Sequence, residues 1–200
     1  MTFIIHSLPR SRTAWMASFL TYGEWKCGHE QAVTMRSFDD VKQLLTKEKT
    51  GSAETATAQG RMLIKYVNPD IKEVVILRPV DDVIKSLLEI DLTGVATYDI
   101  PLLRRTMEYG DRCLRKIALD PSVLVLEFDD LATEAGCKKL WEHCLPYEFD
   151  RDWWNYMKNK NIQIDVREHF LYYFANRPAI DGFKAICKSE LRKLVREGKV

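Results

Sequence analysis

Two stretches of the sequence carry residues whose types and spacing suit the binding of an anion. The first is Ser-Leu-Pro-Arg-Ser-Arg-Thr-Ala-Trp, residues 7–15, which follows a short apolar run and precedes a helical pattern. A loop at that place faces the unpaired N–H groups and the positive dipole end of a helix. With Arg10, Ser11, Arg12 and Thr13 in the loop and no Asp or Glu among the first 23 residues, phosphate or sulfate is its natural guest. The plainer reading is that Ser11 caps the helix and the arginines are solvated. The second stretch is EVVILRPVDDVIKSLLEI, in which Arg78 closes an apolar strand and Ser86 lies eight residues on, about two turns into a helix. A guanidinium and a hydroxyl so spaced can converge on one phosphate. Alternatively, Arg78 pairs with Asp81 or Asp82 and Ser86 bonds back along its own helix.

Proton chemistry has two candidates in Cys-Gly-His-Glu-Gln, where His29 and Glu30 stand on the next strand or its loop; either could serve as a general base. The plainer alternative is a half-buried His29 beside a solvated Glu30. His6 precedes the arginine loop and is expected to pack beside the sheet, and His143 and His169 lack catalytic company. No residues have the spacing of a metal site. The 5 cysteines are odd in number and contain no Cys-x-x-Cys pair, so they fit reduced thiols in a cytoplasm better than a disulfide framework or a zinc site.

The elements that must position these residues read as an alternation of strand and helix. At 200 residues, with 46% apolar and 30% charged residues, the chain suits one globular domain. A formal charge of +1 gives no overall field for nucleic acid or an anionic membrane, so an anion would be held locally. No stretch is long and apolar enough to span a bilayer, and the first residues lack the features of a secretory signal. Residues 2–6 read as a strand; Trp15 with Phe19 and Met16 with Leu20 mark a helix after the arginine loop. A helix is expected from about Phe38 to Lys47, a loop over KEKTGSAETATAQG, and a strand over RMLIKYV. EVVILR then suits a strand buried on both faces, VDDVIKSLLEI a helix with acids in its first turn, residues 100–119 a helix, SVLVLEF a strand and residues 131–144 a helix. The chain from about 145 reads as mainly helical. Such alternation implies an α/β fold with a central parallel sheet covered on both faces, and ligands beyond the carboxyl ends of its strands. Trp25, Tyr98, Trp153, Trp154 and residues 172–174 could line an aromatic pocket or belong to the core.

The loop Pro9, Arg10, Ser11, Arg12, Thr13, Ala14, Trp15 resembles the Pro-Lys-Ser-Gly-Thr-Thr-Trp loop of sulfotransferases that use 3′-phosphoadenosine 5′-phosphosulfate. The pair Arg78 and Ser86 resembles that family's 3′-phosphate site, and Phe128-Asp129-Asp130-Leu131 its Tyr-Glu-Asp-Leu corner. The resemblance implies a three-layer sandwich related to the P-loop nucleoside triphosphate hydrolases and transfer of a sulfuryl group to a hydroxyl or amine of a small molecule, glycan or peptide. No metal would be required. It assigns the nucleotide to Pro9, Arg10, Ser11, Arg12, Thr13, Ala14, Arg78 and Ser86, with Arg10 stabilising the leaving phosphate. Arg12 replaces the family's Gly, and an Arg is costly where a turn needs positive φ. Aligning Lys65 to Pro69 with the family's Lys-Thr-His-Leu-Pro puts Val67 at the usual base and leaves Lys65 as a cation for the transferred group; Glu30 or His29 would then be the base. Arg192, Lys193 and Arg196 are candidates to cover the 3′-phosphate. The loop lacks G-x-x-x-x-G-K-[ST], which disfavours a nucleotide kinase; a kinase and a non-catalytic nucleotide-binding relative are the alternatives.

Overall fold

The computed structural model describes residues 1–90, 99–162 and 177–199. Five strands, β1 (Phe3–His6), β2 (Lys26–His29), β3 (Thr50–Glu54), β4 (Lys72–Leu77) and β5 (Leu124–Glu127), form one all-parallel sheet in the order β2-β3-β1-β4-β5. The helices among the described residues are α1 (Thr13–Phe19), α2 (Phe38–Thr46), α3 (Arg61–Val67), α4 (Val80–Leu88), α5 (Ile100–Ile117), α6 (Glu134–Cys144), α7 (Arg151–Met157) and α8 (Arg177–Arg196). None of them is long and apolar enough to cross a membrane.

Alternation along the strands builds a core on each face. Phe3, Ile5, Val74 and Ile76 point to one side, where Phe19 of α1, Trp141 of α6 and Trp154 of α7 pack on them. Ile4 meets α2, α3 and α8 through Val41, Leu63 and Leu194 on the other side, and Val75 and Leu77 meet α4 and α5 through Ile84 and Met107. Helices therefore cover both faces of the sheet, as the alternation of elements predicted. The 5 cysteines are all free. Burial pushes the Cys137 thiol up to about 11 and that of Cys187 up to about 12.

Two elements differ from the sequence reading. RMLIKYV is α3 instead of a strand: Leu63 and Ile64 are buried while Met62 and Tyr66 are exposed, a helical distribution that a run of apolar letters conceals. The stretch expected as a loop contains β3, all five residues of which are buried between β2 and β1. At Gly51 a side chain has no room: a Cβ there would lie 2.0 Å from the Phe3 ring.

The strand order places the working end of the sheet. From β1 the chain turns through α1 toward β2, and from β4 it turns through α4 and α5 toward β5. Adjacent strands with outgoing connections in opposite directions open a crevice at their carboxyl ends, here between β1 and β4.

Candidate functional site

Residues 7–12 leave β1 directly into this crevice. Ser7 is held at the start by the Glu54 carbonyl, which accepts from the Ser7 amide at 3.0 Å and from its hydroxyl at 3.3 Å. Arg10 and Arg12 both adopt left-handed backbone, φ 64° and 60°, a conformation that costs a non-glycine residue about 1–2 kcal/mol. Contacts at the ends of the side chains offset this for Arg12. Its guanidinium donates to the Leu131 carbonyl at 3.1 Å and lies over the rings of Phe128 and Trp15, 5.8 and 5.9 Å from their centroids. Arg12 thus holds the positive φ that is ordinarily left to glycine.

The two anion-suited stretches meet. Arg10 Nε donates to Ser86 Oγ at 3.1 Å, and Arg78 Nη1 donates to the Arg10 carbonyl. Ser86 is therefore engaged across the crevice rather than along its helix. Asp81 pairs with Arg104 at 2.8 Å, and among the described residues Arg78 has no ion-pair partner. Arg78 instead lies over Phe128, 4.1 Å from the ring centroid. Burial, together with the nearby Arg10, lowers its pKa against the smaller opposing effect of Asp82. Its Nε and the hydroxyl of fully buried Ser11 find no hydrogen-bond partner among the described residues. Ser11 does not cap α1, which begins after Arg12 without a side-chain cap. Adjacent cations with incompletely satisfied donors are a local demand for an anion. Since α1 has only 7 residues, that demand rests on side chains more than on a helix dipole.

The loop, the β4 end and several other segments enclose a cleft of about 760 Å³. Pro9, Arg10, Arg12, Thr13, Ala14, Arg78 and Ser86 all line it, as do His29 and Glu30. His29 ends β2 and shares a 2.9 Å hydrogen bond with the Thr13 hydroxyl. Glu30, at φ 49°, accepts from Thr55 Oγ1 at 2.8 Å. Among the described residues, six cationic side chains, Arg10, Arg12, Arg78, Lys158, Lys160 and Lys184, face a single carboxylate, Glu30, in a chain whose overall charge is +1. No family model matches this chain, and no match is found among curated proteins.

Lys65 is not brought into the cleft. It lies on α3, where its ammonium donates to the carbonyls of Pro69 and Ile71 at 3.2 and 2.9 Å and sits 3.5 Å from Glu73. The segment that leaves the sheet beside the arginine loop is the end of β3, and Thr55, Ala56 and Gln59 contribute to the cleft there. Arg192, Lys193 and Arg196 do not line it; Lys158, Lys160 and Lys184 do. Nothing local in the sequence marks Lys158 and Lys160. They are placed by a tertiary bond, Trp15 Nε1 donating to the Met157 carbonyl at 2.9 Å.

The remaining sequence candidates among the described residues are structural. His6 is fully buried between Thr57, at 2.8 Å, and Glu73, at 3.3 Å. His143 bonds the Glu73 carbonyl at 3.1 Å, and burial lowers its pKa. Asp130 accepts from the Glu127 amide at 2.9 Å in a reciprocal cap. Trp154 belongs to the core, while Trp25 stacks on Phe3 and Trp153 donates to the Phe19 carbonyl. Tyr98, His169 and residues 172–174 lie outside the described residues.

Proposed function

We propose that the chain transfers a sulfuryl group from 3′-phosphoadenosine 5′-phosphosulfate to a hydroxyl or amine, on a scaffold related to the P-loop nucleoside triphosphate hydrolases. One observation carries this reading: Arg10, Ser86 and Arg78, expected from two motifs far apart in the chain, converge at the crevice between β1 and β4 with unsatisfied donors beside them. A nucleotide with phosphates at both its 3′ and 5′ ends is the guest that two such motifs would need.

In the reaction the acceptor oxygen or nitrogen forms a bond to sulfur as the sulfur–oxygen bond to the phosphate breaks. The bonding pair leaves on the phosphate oxygen, and the acceptor's proton goes to a base. Arg10, on the loop after β1, would stabilise the charge growing on that phosphate. Arg78 and Ser86 would hold the 3′-phosphate. Glu30, with Thr55 donating to it, would take the proton. The acceptor would be a hydroxyl or amine of a small molecule, glycan or peptide. Phosphoryl transfer with a divalent ion is less favoured because Glu30 is the only carboxylate lining the cleft among the described residues.

The test is thermal unfolding with 3′,5′-adenosine bisphosphate, compared with 5′-AMP, ADP and ATP plus Mg²⁺. At a hundred times its dissociation constant a ligand adds about 2.7 kcal/mol, which raises the midpoint of a domain of this size by roughly 5–10 °C. The expected result is a shift selective for the bisphosphate. A shift confined to ATP with Mg²⁺ would replace the reading with a kinase, and no shift with any nucleotide would remove the donor site altogether.

A further inference from the structure

Glu54 is fully buried at the carboxyl end of β3 and takes no part in the chemistry above, yet it touches both segments that do. Its carbonyl fixes the start of the arginine loop through the Ser7 amide and hydroxyl, at 3.0 and 3.3 Å. Its carboxylate accepts from the Ala32 amide, at 3.1 and 3.3 Å from the two oxygens, and from the Ser52 hydroxyl. Ala32 belongs to the short 3₁₀ turn Gln31–Thr34 that starts from Glu30, and Glu30 enters it with left-handed backbone. A strained residue at a working position persists only where its surroundings hold it.

We propose that Glu54 is a positioning residue: its carboxylate clamps the turn after Glu30 and so sets the Glu30 side chain against the arginine loop. The inference rests on the sulfuryl-transfer reading, in which Glu30 takes the acceptor's proton. Two amide and hydroxyl donors around one carboxylate make the clamp selective for the ionised form, because protonation converts one acceptor oxygen into a donor. Burial raises the Glu54 pKa to about 7, against the Ser52 and Ala32 hydrogen bonds and with the help of neighbouring Glu30, so clamping and release fall near neutrality. The other titratable groups on the elements packed against β3 are His6 on β1 and Lys26, Cys27 and His29 on β2; α1 and the turn Gln31–Thr34 carry none.

Glu54→Gln tests the clamp, since the amide keeps the volume and removes one acceptor. Release of the bisphosphate from the phosphosulfate, with water as acceptor, is expected to slow ten- to a hundredfold at pH 8, while the bisphosphate dissociation constant stays within twofold. Exchange of the Ala32 amide proton is expected to accelerate at least tenfold. Ser52→Ala keeps the carboxylate but deletes a donor that favours its ionisation, so the acid limb of the rate profile should move to higher pH; a purely structural role for Glu54 would leave that limb in place. Turnover of Glu54→Gln within twofold of the parent, or unchanged Ala32 exchange, would overturn the proposal. Should the parent protein neither bind the bisphosphate nor release it, the sulfuryl-transfer reading falls, and Ala32 exchange still decides whether Glu54 holds the turn.

Discussion

Two buried carboxylates on one face of the sheet, Glu54 on β3 and Glu73 on β4, flank β1 and are each only 1% exposed, yet they are driven in opposite directions. Burial raises both. At Glu73 that effect is outweighed by hydrogen bonds from His6 and a two-pronged Arg61, at 2.7–3.0 Å, which bring its pKa down to about 2. At Glu54 only uncharged donors answer the burial, a second carboxylate stands nearby, and the pKa rises to about 7. The ladder register puts Glu54 level with His6 at the cleft end of the sheet and Glu73 level with Ile4, two residues further from it. The protein is therefore stapled by ions away from the cleft and held by a titratable dipolar clamp beneath it. In the proposed reading the ion pairs of Glu73 serve stability, while Glu54 costs stability where it is ionised and serves the site.

The largest effect that would break this contrast is at the staple. Glu73→Ala leaves His6 and Arg61 facing a buried void, and removing one partner of such a pair costs about 3–5 kcal/mol. Urea unfolding should show that loss, with the affinity for 3′,5′-adenosine bisphosphate unchanged in the fraction that folds. Since the folded pKa of Glu73 is depressed, its contribution is complete above about pH 4.5 and disappears as pH falls toward 2. The difference in stability between parent and variant should shrink over that acid window; a difference independent of pH would mean that Glu73 acts through packing alone.

At the clamp the sign reverses. Between about pH 4.5 and 7 the folded protein holds a proton on Glu54 that the unfolded chain has released, so the parent loses stability as pH rises through this range. A displacement of this size corresponds to about 3 kcal/mol. Glu54→Gln cannot titrate and should flatten that portion of the profile, making the variant as stable as the parent near pH 4.5 and more stable at pH 8. Thermal melts of the pair across pH 4.5–8 check it, and a variant less stable than the parent at pH 8 would show that the ionised carboxylate is itself a net stabiliser.

The arginines over the cleft extend the contrast to cations. Arg61 is tied to Glu73 and Asp120, and its hydrogen bonds to Glu73 raise its pKa. Arg78 has no ion-pair partner among the described residues. Arg78→Ala loses the bond to the Arg10 carbonyl and the contact with Phe128 but no ion pair, so it should lower the unfolding midpoint less than Glu73→Ala does while weakening 3′,5′-adenosine bisphosphate ten- to a hundredfold and sparing 5′-AMP, as expected when a charged hydrogen bond worth about 1.5–3 kcal/mol is lost from one phosphate. Equal weakening of both nucleotides would move Arg78 away from the 3′-phosphate.

The sequence was most informative where a single local cause decides the structure. Continuous apolar runs made β1, β4 and β5 legible, and loops joining a strand to a helix at those ends made Arg10, Arg12, Arg78 and Ser86 legible as one kind of site. β3 was not, because Thr50–Glu54 contains one apolar side chain besides its glycine, and the space it borders is filled by Phe3 from the neighbouring strand. Misplacing β3 also misplaced what leaves it: Thr55 and Gln59 went unnoticed, and so did Glu54, which carries no motif and acquires its character only from burial. Lys158 and Lys160 depend on a bond between α1 and α7 whose partners are 142 residues apart.

Lys65 is the sharpest remaining test, since the sequence resemblance assigns it to the transferred group and the structure puts it on the staple. Its ammonium is 3.5 Å from Glu73, too long for a direct hydrogen bond, and about a third of the side chain is exposed. Glu73 already receives charged donors from Arg61, so the additional cation adds little in a partly solvated position, and such pairs contribute about 0–1 kcal/mol. Lys65→Ala should lower stability by no more than that amount and leave both bisphosphate affinity and turnover within twofold of the parent. A selective loss of turnover would instead require Lys65 to reach the cleft during the reaction, which from α3 would mean breaking its bonds to the Pro69 and Ile71 carbonyls and unpacking Leu63 and Ile64 from beneath the sheet.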